Sequence, residues 1–539
     1  MRDTIPDLID RHVTERPDDV GLVYEGRSYY YSKLALASRR AAQGFAELGI
    51  ARGDRVAMWL PNCPAYVVAV LGLARLGAIA SAVNTRFRSH EVGDLIERSG
   101  ARALVMWPEF RGIDFLGILG GIEPAMLKGL ESLVLYDEGE TAGETPSALA
   151  HCRSVHWVEI ESASPFEGDH AAPDLGSNTF TTSGTTSKPK FVLHTHASIA
   201  RHARTVAAEF ELDRGGLLQA LPFCGVFGFC QLTAGLAAGR PLIVTSAFDA
   251  AEAARLIDEH AVETLFATDG MVASWLDLGN DTPVFPSVKK CYYALFDPAL
   301  EDLPARARER GLELYGLYGM SEVQAFFSRQ PSSQTFARRI RGGGVPISTE
   351  ALFRVRDPES GEILAPGEQG ELELRGASMM KEYFGNPAAT REAFTEDGYL
   401  RSGDMGTTTD DGGFVFLSRM GDVLRLGGFL VAPAEIEACL ATHVSVDGSQ
   451  VVDVTTPEGP RAVGFVTLAA GAELDEDLLR EHCRAGLARF KVPSRVFAVD
   501  EFPTTLSANG TKIQRTRLRD MAQAAIETGS LAATEGACT

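Results

Sequence analysis

The stretch TFTTSGTTSKPKFVLHTH at residues 179–196 decides how the rest of the chain is interpreted. Serine, threonine and glycine fill eight of the nine positions 179–187, and Lys188 and Lys190 follow. Hydroxyls and unobstructed backbone N–H groups are the donors that bind a polyphosphate, and the two ammonium groups offset its charge. The stretch therefore predicts a phosphate-binding loop, with an ordinary polar loop between two strands as the alternative.

This loop differs from the Walker loop, in which a Gly-Lys-Ser/Thr ending opens a helix. Pro189 disfavours a helix at that point, and the short run at residues 190–193 predicts a strand. The order TSGTTSKPK instead resembles the phosphate loop of the adenylate-forming superfamily, which includes acyl-CoA synthetases, peptide-synthetase adenylation domains and luciferases. That superfamily usually has glycine where Ser187 and Phe191 stand here, so we expect a somewhat stiffer loop.

Length, charge and cysteine usage narrow the class of protein. A chain of 539 residues is too long for one core, so at least two domains are expected. Its net charge of −21 argues against a nucleic-acid partner, because binding a phosphate backbone requires a basic face. No apolar run approaches the length of a membrane span, and the amino terminus lacks the pattern of a signal peptide. Eight scattered cysteines without a CxxC pair predict reduced thiols, a cytoplasmic location and no structural metal.

The first part of the chain alternates strand and helix patterns. Residues 54–60 and 103–106 predict strands on either side of a helical apolar pattern at residues 64–76, which indicates a parallel sheet. The Gly/Glu/Ser-rich residues 137–178 are expected to form surface loops. Short extended runs at residues 340–416, broken by glycine, proline and aspartate, predict antiparallel strands or a small barrel.

The pattern starts again beyond Arg419, with helices predicted at residues 434–441 and 473–487 and strands near Val451 and Val463. These elements describe a compact α+β unit of about a hundred residues. The predicted fold class is therefore α/β, with a large N-terminal domain of α/β layers plus a small barrel, and a mobile α+β C-terminal domain. The predicted boundaries are 1–420 for the N-terminal domain, 421–525 for the C-terminal domain and 526–539 for a disordered tail.

Four later motifs match the same superfamily in the expected order, so the resemblance extends from about Val20 to Arg519. The first is Tyr318-Gly319-Met320-Ser321-Glu322, in which Ser321 replaces the usual threonine and keeps its hydroxyl. The resemblance implies that Tyr318 stacks on adenine and that Glu322 ligates Mg²⁺. Standing alone, the motif would be a strand end with a surface glutamate. The ATP- or AMP-binding residues implied here are Thr182, Ser183, Gly184, Thr185, Thr186, Lys190, Tyr318, Gly319 and Ser321.

The second and third motifs are Tyr-Leu-Arg-Ser-Gly-Asp, ending at Asp404, and Arg-Met-Gly-Asp, beginning at Arg419. An aspartate after glycine is often only a turn residue, but the resemblance implies that Asp404 and Arg419 contact the ribose. Gly421 stands at the superfamily's inter-domain hinge, where aspartate or lysine is usual. Glycine can adopt both backbone conformations that a hinge must visit. Gly427 and Gly428 resemble the loop that approaches the thiol substrate.

The fourth motif is Asn-Gly-Thr-Lys-Ile-Gln-Arg, which contains Lys512. A lone lysine is usually a solvated surface residue, but the resemblance makes Lys512 the mobile cation that contacts the acid and the α-phosphate. The implied catalytic residues are therefore Lys512, Glu322 and Thr182.

The implied reaction has two steps and uses ATP, Mg²⁺ and coenzyme A. The carboxylate of an acid attacks the α-phosphate of ATP, and a thiol then attacks the acyl-adenylate after the C-terminal domain rotates about Gly421. Lys188, Lys190 and Lys512 would offset the repulsion between the two anionic substrates.

The acid-binding residues implied by the resemblance lie in two segments. The first, residues 221–228, contains no acidic side chain that could bind an ammonium group, which disfavours amino-acid activation. Leu317 precedes the adenine-stacking tyrosine, where long-chain enzymes commonly have a small residue, so a compact or aromatic acid is expected. Tyr293 and Leu295 either cap a ring of the acid or belong to the core. The complete predicted acid pocket is Phe223, Gly225, Phe227, Tyr293, Leu295 and Leu317.

Residues 488–493 resemble the form common in stand-alone CoA ligases, so CoA is the expected acceptor. Two alternatives remain, namely loading of a separate acyl-carrier protein and an inactive member that acts as a binding protein. The departures from the superfamily pattern that would fit inactivity are Ser187, Phe191, Gly225, Phe296 and Gly421. The expected assembly is a monomer or a homodimer, without a membrane span.

Overall fold

The computed structural model describes residues 2–136, 146–182, 189–279, 283–296, 300, 302–426, 429–431, 433–456, 459–487, 489–507 and 510–528. The described helices are α1 Asp7–Glu15, α2 Tyr31–Glu47, α3 Pro64–Leu76, α4 Ser89–Ser99, α5 Phe115–Gly120, α6 Trp157–Ser162, α7 His196–Glu209, α8 Val226–Ala238, α9 Ala250–Glu259, α10 Asp269–Leu276, α11 Leu303–Glu309, α12 Phe336–Arg339, α13 Pro387–Ala393, α14 Pro433–Ala441, α15 Glu476–Gly486 and α16 Arg515–Thr528. Among them, none is long and apolar enough to cross a membrane.

The described strands are β1 Val20–Tyr24, β2 Arg27–Tyr30, β3 Arg55–Trp59, β4 Ile79–Ala82, β5 Ala101–Met106, β6 Glu109–Phe110, β7 Ile113–Asp114, β8 Ser132–Leu135, β9 Arg153–His156, β10 Gly176–Thr181, β11 Phe191–Thr195, β12 Leu217–Gln219, β13 Leu242–Val244, β14 Thr264–Thr268, β15 Lys290–Ala294, β16 Leu314–Tyr318, β17 Ser328–Arg329, β18 Gly343–Pro346, β19 Leu352–Arg356, β20 Gly370–Arg375, β21 Glu382–Tyr383, β22 Leu400–Thr408, β23 Phe414–Arg419, β24 Leu424–Leu426, β25 Phe429–Val431, β26 Val446–Thr456, β27 Gly459–Leu468, β28 Arg495–Ala498, β29 Thr504–Ser507 and β30 Gly510–Ile513.

The chain divides into two compact units. The first comprises Met1–Leu295, Asp302–Leu352 and Arg375–Thr395, and the second comprises Phe296–Glu301, Phe353–Leu374 and Glu396–Thr539. The mixed α/β class with a larger N-terminal part and a smaller C-terminal part is confirmed. The predicted domain boundary at residue 420 stays a prediction, since the second unit also takes in strands from before it.

The first unit contains the predicted parallel sheet. Its eight strands have the order β21-β11-β10-β4-β3-β5-β8-β9, and β3 pairs in parallel with both β4 and β5. Helix α3 connects β3 to β4 and is buried along its whole length. Pro64 starts this helix, and Gly77 ends it in the left-handed conformation at φ 75°, so both ends follow from residue types with matching backbone preferences.

The expectation of surface loops at residues 137–178 is wrong for part of that range. Strand β9 pairs in parallel with β8, and α6 follows it directly. Only Val155 of β9 is buried, because an edge strand covers little of the core. One inward apolar residue is too weak a pattern to reveal a strand in the sequence.

A second group of strands in the first unit positions the Tyr318 motif. Strands β14, β15 and β16 pair in parallel, and β17 and β18 continue the sheet in antiparallel fashion. Tyr318 is the last residue of β16, so the motif follows the carboxyl end of a parallel strand. Binding residues are commonly located at such strand ends.

In the second unit, the strands expected from residues 340–416 form an antiparallel sheet. Strand β22 pairs antiparallel with β20 and β23, and β19 lies beside β20 at the edge of the described sheet. The antiparallel strands predicted for this range are therefore present. A barrel requires its edge strands to pair with each other, and the small barrel stays a prediction.

The remainder of the second unit is the predicted α+β structure. Strands β26 and β27 form a long antiparallel pair, and β28 adds in parallel. Helix α16 continues to Thr528, beyond the predicted boundary at residue 525. Ile526 packs against an apolar cluster that includes Leu518 and Ala522, which explains why the helix extends further. Residues 529–539 lie outside the described residues.

An ion pair between a fully buried arginine and a half-buried aspartate anchors α1 to α3. The Arg75 side chain is fully buried and lies 2.5 Å from Asp10 Oδ1. Its guanidinium also donates to Asp10 Oδ2 at 3.1 Å and to Ser38 Oγ at 2.9 Å. Removing one partner of a buried pair leaves the other charge without compensation.

We therefore predict that Asp10→Ala lowers the free energy of unfolding by about 3 kcal/mol. Asp18→Ala, at an exposed position close by in sequence, should change it by less than about 0.5 kcal/mol. Urea denaturation followed by tryptophan fluorescence measures both. Equal, small losses for the two variants would contradict a structural role for this pair.

Candidate active site

The base of the predicted phosphate loop is held by Thr182 and Lys190, just beyond the antiparallel strands β10 and β11. The Thr182 N–H donates to the Lys190 carbonyl at 3.0 Å, and the Lys190 N–H donates to Thr182 Oγ1 at 3.3 Å. The structure thus fixes both ends of the loop. Its interior, with Ser183, Gly184, Thr185, Thr186 and Lys188, lies outside the described residues.

Phe191 and Arg98 support the base of this loop from the side. The Arg98 guanidinium donates to the Pro189 carbonyl at 2.8 Å and lies 4.6 Å from the centroid of the Phe191 ring. The ring is buried and belongs to the apolar cluster around Trp59. Phe191, where the superfamily usually has glycine, therefore adds packing and a cation–π contact at the base of the loop.

The Tyr318 motif continues into a tight turn. A Cβ atom on Gly319 would lie 1.3 Å from the Ala325 carbonyl oxygen, so only glycine fits there. Gln324 and Ala325 have φ angles of 60° and 64°, a conformation that is unfavourable for residues with a side chain. The Ala325 N–H donates to the Met320 carbonyl at 3.0 Å, which closes the turn around Glu322.

Two buried histidines, His194 of β11 and His202 of α7, form hydrogen bonds with the backbone of this turn. His194 donates from Nε2 to the Ser321 carbonyl at 2.8 Å, and His202 donates from Nε2 to the Gln324 carbonyl at 3.0 Å. Burial lowers the pKa of His194 to about 4 and the pKa of His202 to about 3, although both hydrogen bonds act in the opposite direction. Both imidazoles are therefore neutral donors at neutral pH.

Glu322 is a buried carboxylate, 6% exposed, that is joined to the base of the loop through Tyr383. The Tyr383 hydroxyl donates to Glu322 Oε1 at 2.8 Å, and the Met380 N–H donates to the Glu322 carbonyl at 2.7 Å. On its ring face, Tyr383 lies 4.6 Å from the Lys190 ammonium. The predicted metal carboxylate and the lysine at the end of the loop thus contact the same tyrosine.

The residues present are compatible with Mg²⁺. Among the described residues there is no group of three or more His, Cys, Asp or Glu side chains that could hold a metal ion. Mg²⁺ in nucleotide-dependent enzymes is commonly bound by one or two carboxylates together with substrate phosphates. A single oriented carboxylate such as Glu322, near the base of a phosphate loop, fits that coordination.

Asp404 and Arg419 lie opposite each other on β22 and β23 of the second unit. Arg419 Nη1 is 2.9 Å from Asp404 Oδ1. Asp404 is 2% exposed, whereas the Arg419 side chain is 54% exposed. The Asp404 N–H donates to Ser402 Oγ at 3.0 Å, and Ser402 in turn donates to the Leu372 carbonyl at 2.6 Å. The two predicted ribose-binding residues are therefore neighbours.

The predicted hinge and the mobile lysine also lie in the second unit. Gly421 is in a 3₁₀ turn, Met420–Asp422, directly after β23. Lys512 is in β30, where its backbone pairs with Thr505 of β29. Its side chain lies outside what the structure describes, as do Gly427 and Gly428. The catalytic and CoA-side roles of these residues stay predictions.

The first acid-pocket segment packs against the Tyr318 turn. Phe223 is fully buried against Tyr66, whose hydroxyl donates to the Phe223 carbonyl at 3.1 Å. Gly225 precedes the first residue of α8. Phe227, in the first turn of that helix, lies 5.2 Å from the ring of Phe326, the residue that follows the turn.

The predicted acid-pocket residues on strands β15 and β16 do not lie on one face of the sheet. Tyr293 pairs with Gly316 across β15 and β16. Because side chains alternate along a strand, Leu317 points to the opposite face of the sheet from Tyr293. The Tyr293 hydroxyl donates to the Ile340 carbonyl at 2.6 Å, so this residue supports a neighbouring backbone segment. Leu295 is 48% exposed.

Sequence reasoning missed Tyr383, His194 and His202. The Tyr383–Glu322 contact joins residues 61 positions apart, and no periodic pattern signals such a pair. His194 lies within a strand and His202 within a helix, so in the sequence both look like ordinary core positions. Only the two carbonyls that they bind reveal their role.

The described residues thus provide a buried carboxylate beside the base of the predicted phosphate loop and, in the second unit, an Asp–Arg pair. Residues 9–384 match the family model of the AMP-binding enzyme, and residues 435–509 match that of the AMP-binding enzyme C-terminal domain. The chain therefore belongs to the AMP-binding enzyme family, as the sequence motifs predicted.

Several similar proteins are named as acid–CoA ligases. The chain is 27% identical to a 2-succinylbenzoate–CoA ligase of Geobacillus sp. (strain WCH70), covering 97% of this chain and 98% of the relative. It is 28% identical to 4-coumarate–CoA ligase 3 of Oryza sativa subsp. japonica, with 92% and 87% covered. The solved o-succinylbenzoate CoA synthetase from Bacillus subtilis, in complex with its acyl-adenylate intermediate, has the same fold, with a TM-score of 0.78 at 24% identity over 96% of this chain and 98% of that one.

The buried histidines predict a pH-dependent stability. An unfolded histidine binds a proton near pH 6.5, whereas His194 and His202 resist protonation down to about pH 4 and 3 in the folded state. Their contribution is thus fully present above about pH 6.5 and is lost as the pH falls, by roughly 1 kcal/mol per pH unit for each histidine. Glutamine keeps an N–H donor but does not titrate. Urea unfolding between pH 7.5 and 5.5 should therefore show a shallower pH dependence for His202→Gln than for wild type.

His90→Gln is the matched control, because His90 is exposed. This variant should keep the wild-type pH dependence. If His202→Gln and His90→Gln gave the same slope as wild type, the buried neutral imidazole would not be the source of the effect.

Proposed function

We propose that this protein is an ATP-dependent carboxylic acid–CoA ligase that forms an acyl-adenylate and then a thioester in the cytoplasm. The observation that carries the proposal is the contact of Tyr383 with both Glu322 and Lys190. It joins the carboxylate proposed to hold Mg²⁺ to the base of the predicted phosphate loop, which supports binding of a metal–polyphosphate there. Membership of the family and the names of its relatives support the same reaction.

Residues of this chain can supply the polar contacts to the triphosphate, the ribose and Mg²⁺ that the first step needs. Thr182 and Lys190 hold the loop that receives the triphosphate, and Asp404 accepts the ribose hydroxyls beside Arg419. Glu322 would hold Mg²⁺, which neutralises phosphate charge while pyrophosphate leaves. The carboxylate of the acid is already a nucleophile, so no general base is needed. Lys512 supplies positive charge where two anions meet.

The second step requires a different arrangement of the same chain. We infer that the C-terminal part rotates about Gly421, which removes Lys512 and admits the thiol. The 3₁₀ turn at Met420–Asp422 follows the strand that carries Arg419, and it is short enough for a few backbone angles to absorb such a rotation.

We propose a compact or aromatic acid as the substrate. Leu317 lies on the same face of its strand as Tyr315, whose ring is 5.4 Å from Tyr292. Tyr292 packs on Phe266, which contacts Phe326 at 4.8 Å, and Phe326 contacts Phe227. A bulky Leu317 on this aromatic face would shorten the pocket. The relatives named for 2-succinylbenzoate and 4-coumarate act on aromatic acids, which supports this choice.

Incubation with ATP, Mg²⁺, CoA and a pool of aromatic, short-chain and long-chain acids tests the proposal by mass spectrometry. We expect one class of acyl-CoA and stoichiometric AMP. Accumulation of acyl-adenylate without thioester would favour a carrier protein as the acceptor. Absence of nucleotide turnover with every acid would contradict the ligase and favour a binding protein.

Lys512→Ala should separate the two half-reactions. We expect acid-dependent adenylation to fall by about 100-fold or more, because preorganised charge at the α-phosphate is lost. Thioester formation from the preformed acyl-adenylate should be nearly unchanged, as quenched-flow measurement of both steps would show. Lys33→Ala, at an exposed position, should affect neither step. Equal loss of both steps in Lys512→Ala would contradict the rotation.

Leu317→Ala should shift the preference towards longer acids. Removing the branched side chain lengthens the pocket, so kcat/KM for an octanoate-length acid should rise about tenfold relative to that for a benzoate. Leu314→Ala makes the same truncation on the opposite face of β16 and should lower stability without changing this ratio. An unchanged ratio in Leu317→Ala would place the acid elsewhere.

A further inference from the structure

Tyr383 makes two different contacts with the predicted active site. Its hydroxyl donates to Glu322 Oε1 at 2.8 Å, and its ring face lies 4.6 Å from Lys190 Nζ. The side chain is only 7% exposed. None of the sequence motifs includes this residue.

The backbone around Tyr383 is fixed to the strand that leaves the phosphate loop. The Lys381 N–H donates to the Leu193 carbonyl and the Phe384 N–H donates to the Phe191 carbonyl, both at 2.8 Å. The Tyr383 N–H donates to Thr390 Oγ1 at 3.0 Å. Since β21 pairs with β11 in this way, the tyrosine is held in place independently of Glu322.

We propose that Tyr383 is a positioning residue that sets how Glu322 binds its metal ion and where Lys190 meets the triphosphate. This inference rests on the proposed function. Its hydroxyl engages one oxygen of the Glu322 carboxylate, so an approaching metal ion is directed to the other oxygen. Its ring provides a negative face on which the Lys190 ammonium rests.

Coordination through one carboxylate oxygen favours Mg²⁺ over larger cations. Mg²⁺ requires near-octahedral geometry and binds few protein oxygens, whereas Ca²⁺ takes six to eight oxygens and readily accepts both oxygens of one carboxylate. A carboxylate with Oε1 already engaged is less able to chelate Ca²⁺. The hydroxyl of Tyr383 therefore acts as a determinant of metal selectivity.

The hydroxyl and the ring have separable effects. Tyr383→Phe removes the donor to Glu322 but keeps the ring near Lys190. Tyr383→Leu removes both contacts. Only the second substitution should weaken binding of a nucleotide in the absence of any divalent metal ion, because only it releases the lysine.

Isothermal titration calorimetry with α,β-methylene-ATP, an analogue that cannot transfer its adenylyl group to an acid, measures these effects on the full-length protein without turnover. The matched control is Tyr24→Phe, because the Tyr24 hydroxyl makes a comparable 2.8 Å hydrogen bond to Ser246 Oγ and the residue is 3% exposed. Titrations are made with Mg²⁺, with Ca²⁺ and with EDTA, and thermal unfolding verifies that each variant is folded.

For Tyr383→Phe we expect the affinity with Mg²⁺ to fall about tenfold, as for loss of a hydrogen bond to a charged group. The affinity with Ca²⁺ should fall much less, so the ratio of Mg²⁺ to Ca²⁺ affinities should fall several-fold. Binding in EDTA should be unchanged in Tyr383→Phe and weakened in Tyr383→Leu. Tyr24→Phe should match wild type throughout.

Two results would overturn the inference in different ways. If Tyr383→Phe matched Tyr24→Phe with both metals while wild type bound the analogue, the positioning role would be wrong and the proposed ligase would stand. If folded wild-type protein did not bind the analogue with Mg²⁺, the proposed function itself would be contradicted.

Discussion

The hydrogen bond from the Tyr383 hydroxyl to Glu322 joins the two halves of the predicted ATP site in the first unit. One half is the hairpin of β10 and β11, which ends in the phosphate loop, and the other is the turn that follows β16. A buried carboxylate without a donor would be strongly disfavoured. Because the donor is fixed by pairing of β21 with β11, the carboxylate is located relative to the loop by backbone hydrogen bonds.

The turn around Glu322 needs further support because its backbone is unfavourable. Two consecutive residues with side chains, Gln324 and Ala325, have positive φ angles. Such conformations persist where the surrounding structure fixes them, and they are frequent at functional sites. His194 and His202 donate to two carbonyls of this turn from a buried position. The neutral imidazoles thereby make the turn rigid but lower its stability in acid, and a rigid turn suits the metal-binding role proposed for Glu322.

Much of this arrangement could be predicted from the sequence. The parts that could not be predicted depend on contacts between residues that are distant in the sequence. Helix α3 was predictable because Pro64 and Gly77 mark its ends around an apolar run. The family was predictable because its motifs occur in order and carry the chemistry in local residues. The Tyr383 contact is long-range, so no local pattern encodes it. That Tyr293 and Leu317 lie on opposite faces of the sheet follows from the pairing of β15 with β16, which the sequence does not reveal.

In the proposed reaction, the acid's own oxygen attacks the α-phosphate of ATP. In that step a carboxylate oxygen forms the new P–O bond and pyrophosphate leaves. In the second step the thiol attacks the acyl carbon, the C–O bond breaks, and AMP leaves with the oxygen. A substrate acid labelled with ¹⁸O in its carboxylate, turned over with ATP, Mg²⁺ and CoA, should therefore yield AMP that carries one ¹⁸O, as mass spectrometry of the nucleotide would show. Label in inorganic phosphate with release of ADP, or unlabelled AMP, would contradict attack of the carboxylate on the α-phosphate.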